Sequence, residues 1–331
     1  MRIVLCYPTQ PHHLEQIAAA ALDAKITDAE IVDAGQGRIA EEILGADIFC
    51  GHAKVPVPWA EVVAGGRLRW IQSSAAGLDH CLTPEVIASE IPVTSASGLF
   101  ANQVAEQTMA LLLGWMRRLP VFFRAAQQRE FIRRPTGDLH GKTIGIVGLG
   151  GNGRRIAEVL APWKTRILAT DLFPQDRPPH VDQLWPADQL PLLLAESDIV
   201  ILCTPLNSRT EGLIDAAALA QMKPGSILVN VARGPVVVEA DLVAALQNNH
   251  LEAAALDVTE VEPLASESPL WDMPNVIITP HVGAQSAHRV NDSTAFFCEN
   301  LQRFQQGLPL WNLVDKQLGF PTPQNRRPAS L

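Results

Sequence analysis

The segment Thr143-Ile-Gly-Ile-Val147 runs without a break into Gly148-Leu-Gly150-Gly151-Asn152-Gly153, and then into Arg154-Arg-Ile-Ala-Glu-Val-Leu160. A short apolar run, closely spaced glycines and an amphipathic stretch read as strand, tight turn and helix. Each glycine has a separate job. Gly148 permits the turn off the strand, Gly150 lets backbone approach a ligand closely, and Gly153 lets the helix pack on the sheet. The open N–H groups at the start of such a helix attract phosphate, so the amides around Gly151 and Asn152 are the expected contacts. Asp171 falls 18 residues beyond Gly153, at the end of the next apolar run, where a carboxylate would bind ribose hydroxyls. Strand, turn, helix and carboxylate together predict a dinucleotide site far more specifically than a glycine turn alone. A carboxylate at Asp171 repels a 2′-phosphate and favours NAD, while Arg154, Arg155 and Arg177 keep NADP open.

Strand-like and helix-like patterns alternate on both sides of this turn. In the first hundred residues, strands are expected at Arg2–Tyr7, Glu30–Val32, Asp47–Cys50, Leu68–Gln72 and Pro92–Thr94, and helices at His12–Ala24 and Gly37–Leu44. One long apolar helix pattern covers Asn102–Ala126, with Arg117-Arg118 and Pro120 as points where it bends or ends. A second strand series follows at Thr143–Val147, Arg166–Thr170, Asp198–Cys203, Ser226–Val229, Ala253–Leu256 and Val276–Ile278. The final helix, Ser286–Gln306, carries Val290, Phe297, Leu301 and Phe304 on one side, and the tail from Gly319 reads as loose. Alternation of this kind builds parallel sheets from βαβ units, and 331 residues suffice for two domains.

Bulk properties narrow the partners. A formal charge of −9 with no basic face argues against nucleic acid. Five well-separated cysteines without a C-x-x-C pair suit free thiols in a reducing compartment. The apolar run at the start is cut short by Pro8, and Met109–Met116 is far shorter than a membrane span, so a cytoplasmic protein is expected.

Three polar residues close apolar strands in the second half. Arg233 sits in Val229-Asn-Val-Ala-Arg-Gly-Pro235, Glu262 in Leu256-Asp-Val-Thr-Glu-Val-Glu-Pro263, and His281 in Ile278-Thr-Pro-His-Val-Gly283. Ligands of open α/β sheets bind beyond the carboxyl ends of the strands, so these groups can converge despite their spacing. Each suits reduction of a 2-oxo acid. Arginine can grip the carboxylate with two hydrogen bonds. Histidine can exchange a proton with the carbonyl or alcohol oxygen, and a neighbouring carboxylate can orient the ring.

With these motifs in this order, the chain resembles the D-isomer-specific 2-hydroxyacid dehydrogenases. That family carries a glycine cofactor turn, an Arg-Gly after Val-Asn, a Glu-Pro after Asp-Val and a Pro-His-x-Gly segment. Asn102–Gln107, with Val104-Ala-Glu106, is similar to its entry into the cofactor domain. The resemblance, from about Ile48 to Val314, implies two Rossmann-like α/β domains with the active site in the cleft between them. Residues 1–100 plus 285–331 would form the substrate domain, and 101–284 the NAD-binding domain. It implies Arg233, Glu262 and His281 as the catalytic set and no metal. Asp257 would meet the nicotinamide carboxamide, Thr204, Val231 and Ala232 would line the cofactor, and Ala75, Ala76 and Gly77 would bind the substrate carboxylate with their amides. It also implies a homodimer joined through the helix after Asn102.

The chain departs from the family at Asn152, where an aliphatic residue is usual, and at Gln107, where histidine is frequent. Cys50-Gly-His-Ala-Lys54 lacks the arginine of members that use 3-phosphoglycerate, although His52 or Lys54 could meet an anionic tail. A glyoxylate or hydroxypyruvate reductase is therefore favoured. The alternatives are a phosphoglycerate dehydrogenase-like enzyme, an enzyme of formate or phosphite on the same scaffold, and a non-enzymatic NAD-sensing protein.

Overall fold

The computed structural model describes residues 1–328. The chain divides into two compact units, one built from Met1–Leu99 with the chain from Ser286 onward, the other from Phe100–Gln285.

In the first unit the elements run β1 (Arg2–Cys6), α1 (Pro11–Asp23), β2 (Glu30–Asp33), α2 (Gly35–Glu42), β3 (Ile48–Gly51), α3 (Trp59–Ala64), β4 (Trp70–Ser73), α4 (Pro84–Ala88) and β5 (Val93–Thr94). The sheet order is β2-β1-β3-β4-β5 and every pairing is parallel. Side chains alternate across a strand, so each strand feeds two cores. Val4, Cys6, Phe49 and Ile71 pack on one face, while Ile3, Leu5, Ile48, Cys50 and Trp70 pack on the other. The central stretches Ile3–Cys6 and Ile48–Cys50 are apolar throughout because both faces of the sheet are covered.

In the second unit α5 (Ala101–Met116) and α6 (Leu119–Gln127) precede β6 (Thr143–Val147), α7 (Gly151–Leu160), β7 (Arg166–Asp171), β8 (Gln183–Pro186), α8 (Leu190–Glu196) and β9 (Ile199–Leu202). Then come α9 (Ala216–Gln221), β10 (Ser226–Asn230), α10 (Glu239–Gln247), β11 (Leu251–Leu256) and β12 (Val276–Ile278). Seven parallel strands lie in the order β12-β11-β10-β9-β6-β7-β8. Leu111, Leu112 and Trp115 of α5 join Ile156 and Leu160 of α7 over Ile144, Ile201 and Val229. Leu193, Leu219, Leu242 and Leu246 cover the opposite face.

The α/β fold class expected from the alternation is the one observed. Several local expectations change. The long pattern over 102–126 is two helices, broken at one of the points expected, where Arg118 adopts a left-handed φ of 54°. Pro120 explains the break, since it brings no amide donor to the carbonyl four residues back and its ring crowds that carbonyl. The strand β8 has no counterpart among the sequence expectations, because its four residues lie at a half-exposed sheet edge.

The last helix, α11 (Arg289–Gln305), starts three residues later than its pattern suggests. Its apolar side lies where expected, with Trp70 stacked between Phe297 and Phe304 at centroid distances of 5.3 and 5.4 Å. The tail is not loose as far as residue 328. A ribbon of β13 (Val314–Asp315) and β14 (Phe320–Pro321) forms, and Arg327 grips both carboxylate oxygens of Glu299 at 2.9 and 2.6 Å. Pairing of two-residue strands leaves no periodic trace in a sequence.

Candidate active site

The glycine turn separates structural from ligand-facing roles. Gly148 has φ +95°, and a Cβ there would stand 3.1 Å from the backbone of Cys203 and Thr204. A Cβ on Gly153 would lie 2.1 Å from the Gly148 carbonyl oxygen, so close helix–sheet packing needs glycine. A Cβ on Gly150 would meet nothing within 4 Å. That open space beside the first-turn amides of α7, Gly151 and Asn152 among them, is a cradle a phosphate can fill. Thr204 Oγ1 is buried and has no partner among the described residues, as a hydroxyl awaiting a ligand would be. Val231 and Ala232 are buried at the end of β10.

Asp171 closes β7 and holds the turn as well. Its carboxylate accepts from the Leu149 amide at 2.7 Å and from the Phe173 amide at 2.8 Å. A carboxylate has about four lone-pair sites, so both oxygens can still accept from ribose hydroxyls. The arginines nearby have their own partners. Arg154 donates to the Leu149 carbonyl at 3.1 Å and pairs with Asp176 at 3.1 Å. Arg155 pairs with Glu158 at 2.7 Å, and Arg177 donates to the Val181 carbonyl. These residues fit a dinucleotide: glycine cradle for pyrophosphate, helix N-terminus for its charge, carboxylate for ribose.

Nδ1 of His281 and Oε2 of Glu262 are 2.8 Å apart, with both side chains about two-fifths exposed. The turn that bears Glu262 is tied back on itself. The Thr259 amide donates to Glu262 Oε1 at 3.3 Å, and Thr259 Oγ1 donates to the Val261 carbonyl at 2.9 Å. Glu260 points elsewhere, accepting the Glu239 amide at 2.8 Å. Arg233 is half-buried at the mouth of β10. Asn230 shapes its loop, accepting the Ala232 amide and donating to the Arg233 carbonyl, each at 3.0 Å. Gly234 then presses on the Glu262 turn, for a Cβ there would come within 1.7 Å of the Thr259 carbonyl oxygen. The Arg233 loop and the Glu262 turn are therefore in backbone contact, and the Glu262 turn in contact with His281.

His281 sits at φ +53°, a conformation rare outside glycine. Its amide donates to the Asp257 carbonyl at 2.7 Å and the Thr279 carbonyl at 3.0 Å. The Asp257 carboxylate, expected to face a nicotinamide, is buried and engaged by protein. It accepts from Thr279 Oγ1 at 2.6 Å and from the Val282 and Gly283 amides at 3.0 and 2.7 Å. Gln107, on α5, reaches the same cluster: Nε2 donates to Thr279 Oγ1 at 2.9 Å and lies 3.5 Å from Asp257 Oδ1. Thr279 and Asn230 have no role among the sequence expectations, and Gln107 stands there only as a departure from the family. The Asn and Thr stand inside the strand-end motifs themselves, so their strand-end positions were the available signal.

In the first unit, the loop after β4 carries Ala75, Ala76 and Gly77. The Ala75 amide is already bonded to Ser73 Oγ at 3.1 Å, and the Ala75 carbonyl accepts from the Ala96 amide at 3.0 Å. The amides of Ala76 and Gly77 have no protein acceptor among the described residues. His52 stacks on His80 with ring centroids 4.2 Å apart, and the Lys54 amide donates to Gln36 at 2.7 Å. Among the described residues no cluster of three or more His, Cys, Asp or Glu could hold a metal, and no helix is long and apolar enough to cross a membrane.

Known proteins share this architecture. The family model for the D-isomer specific 2-hydroxyacid dehydrogenase NAD binding domain matches residues 109–283. A glyoxylate/hydroxypyruvate reductase A from Enterobacter sp. (strain 638) is 30% identical over 330 residues, covering 97% of this chain and 100% of that one. A D-isomer specific 2-hydroxyacid dehydrogenase from Xanthobacter autotrophicus Py2, solved with NADPH and MES, aligns with a TM-score of 0.80 at 29% identity over 96% of this chain and 99% of its own. An NADPH-dependent glyoxylate/hydroxypyruvate reductase from Sinorhizobium meliloti, solved with NADP and sulfate, aligns with a TM-score of 0.79 at 28% identity over the same shares. A glycine turn cradling open space, a strand-end carboxylate and a histidine held to a glutamate thus occur on a chain that matches this family along nearly its whole length: the protein is a member of the D-isomer specific 2-hydroxyacid dehydrogenases, oxidoreductases that use a nicotinamide cofactor.

Proposed function

We infer that the protein reduces small 2-oxo acids, glyoxylate and hydroxypyruvate foremost, with NADH as the preferred cofactor. The observation that carries this reading is the 2.8 Å contact between His281 Nδ1 and Glu262 Oε2. It leaves Nε2 of the ring to exchange a proton with the substrate oxygen. Reduced nicotinamide, when bound, supplies the hydride to the carbonyl carbon. The guanidinium of Arg233 holds the substrate carboxylate and polarises the carbonyl, and His281 delivers the proton that turns the oxygen into a hydroxyl. Glu262 keeps the ring oriented. The Ala76 and Gly77 amides also bind the carboxylate, Ala75 acting through its carbonyl and Ser73 to shape their loop.

NADH is favoured because Asp171 closes β7 while Arg154, Arg155 and Arg177 are bonded elsewhere. Both solved relatives described above hold NADPH or NADP, so cofactor choice is the point to test first. Gly148, Gly150, Gly151, Asn152, Gly153, Thr204, Val231 and Ala232 would line the cofactor. The 101–284 region would serve as the cofactor domain and 1–100 with 285–331 as the substrate domain of a cytoplasmic homodimer.

A panel of glyoxylate, hydroxypyruvate, pyruvate and 3-phosphohydroxypyruvate, each with NADH and with NADPH, tests this directly. Fastest turnover of glyoxylate or hydroxypyruvate with NADH supports the proposal. Preference for the phosphorylated acid or for NADPH corrects it, and cofactor binding without turnover of any acid replaces it with a sensing role.

A further inference from the structure

We propose that Gln107 is a positioning residue that clamps the His281 turn to α5. Its catalytic consequence rests on the reading of His281 given above; the clamp itself does not. His281 holds a positive φ, which costs a non-glycine residue energy and persists only when surrounding bonds enforce it. Those bonds run through two residues. Asp257 takes the amides of Val282 and Gly283 on its carboxylate and the His281 amide on its carbonyl. Thr279 donates its hydroxyl to Asp257 Oδ1 and shares the His281 amide.

Once Thr279 has given its hydroxyl hydrogen to Asp257, its oxygen can only accept, and the donor it accepts from is Gln107 Nε2 at 2.9 Å. The same amide group stands 3.5 Å from Asp257 Oδ1. The Gln107 stem also lies against the turn, since a Cβ on Gly283 would be 3.6 Å from Gln107 Cγ and 2.7 Å from Asp257 Oδ2. A core helix thereby fixes both the hydroxyl and the carboxylate that shape the turn. The chemistry demands a donor at position 107. Glutamate has nearly the shape of glutamine, yet it replaces the amide hydrogens with a second carboxylate facing Asp257. Leucine fills space and donates nothing, while a histidine ring N–H can reach a similar distance.

The test compares Gln107→Leu, Gln107→Glu and Gln107→His with the unmutated enzyme. Native-state hydrogen exchange at the Val282 and Gly283 amides reads the clamp without any substrate. Protection there is expected to fall about fivefold to tenfold in the Leu and Glu variants, the worth of one hydrogen bond, and to be kept in the His variant. Protection within β11 should stay unchanged, which separates loosening of the turn from general destabilisation. Unchanged protection of Val282 and Gly283 in the Leu and Glu variants overturns the proposal. If the Leu variant misfolds, the nearly isosteric Glu variant alone decides between the two outcomes.

In turnover of glyoxylate, kcat should fall in the order Gln, His, Leu, Glu, with KM for NADH within about twofold. A flat kcat series overturns the catalytic consequence. If the unmutated enzyme reduces no 2-oxo acid, the functional reading fails while the exchange series still decides the clamp.

Discussion

His281 Nδ1 and Glu262 Oε2 meet at 2.8 Å although they lie on the loops that follow different strands, β12 and β11. The contact fixes which ring nitrogen faces the protein and which is left for substrate. Glu262→Gln keeps the shape but removes the carboxylate that holds the ring in one orientation. It should lower kcat for 2-oxo acid reduction about tenfold to a hundredfold. Glu260→Gln serves as the control, because Glu260 is bonded to the Glu239 amide and should matter far less. Equal losses in the two variants would remove Glu262 from its role.

Arg233→Lys preserves charge and loses the two-pronged grip. Charge-assisted hydrogen bonds are worth roughly 1.5–3 kcal/mol, so kcat/KM for glyoxylate should drop about tenfold to a hundredfold. Steady-state kinetics with glyoxylate and, as a probe without a carboxylate, glycolaldehyde separate the effects. The loss should be confined to the acid.

Asp171→Ala should erode discrimination between NADH and NADPH, chiefly by improving KM for NADPH. The same change removes the bonds to the Leu149 and Phe173 amides, so weaker NADH binding and a lower Tm are also expected. Titration of both reduced cofactors by fluorescence measures this. An unchanged NADH-to-NADPH affinity ratio would show that the carboxylate does not choose the cofactor.

Burial pushes the thiols up: Cys6 to about 11, with Asp33 adding to it, and Cys203 and Cys298 to about 12, with Glu299 adding to the latter. Alkylation needs the thiolate, which at pH 8 is then on the order of one in a thousand or fewer of the molecules. Iodoacetamide should therefore leave the native protein essentially unlabelled over an hour and label all five thiols in denaturant. Rapid labelling of Cys203 in the native state, read by mass spectrometry, would contradict this.

The parts of the molecule that were legible in the sequence are those with local signals. The glycine turn could be read because strand, turn and helix are contiguous, and Gly148 and Gly153 prove indispensable for packing within a few residues of each other. Arg233, Glu262 and His281 could be read because each follows an apolar strand, and the sheet brings their turns together. What could not be read arises from contacts distant in sequence. Gln107 meets Asp257 and Thr279 across 150 and 172 residues, and nothing near position 107 announces it. The tail looked loose because its order comes from Glu299 and from strands too short to show a period. Asp257, expected from the resemblance to meet a nicotinamide, also holds the His281 turn with its carboxylate, a second task that only coordinates reveal.

His281 is proposed to transfer the proton in reduction of a small 2-oxo acid. Reduction consumes a proton and oxidation releases one, so glyoxylate reduction with NADH should slow as pH rises while oxidation of the corresponding hydroxy acid speeds up. The decisive measurement is kcat for glyoxylate reduction at neutral pH in the unmutated enzyme and in His281→Ala, with NADH binding checked in both. Robust turnover is expected in the unmutated enzyme, falling on the order of 10²–10⁴-fold in the variant while NADH still binds. Turnover in His281→Ala within a few-fold of the unmutated enzyme would contradict it.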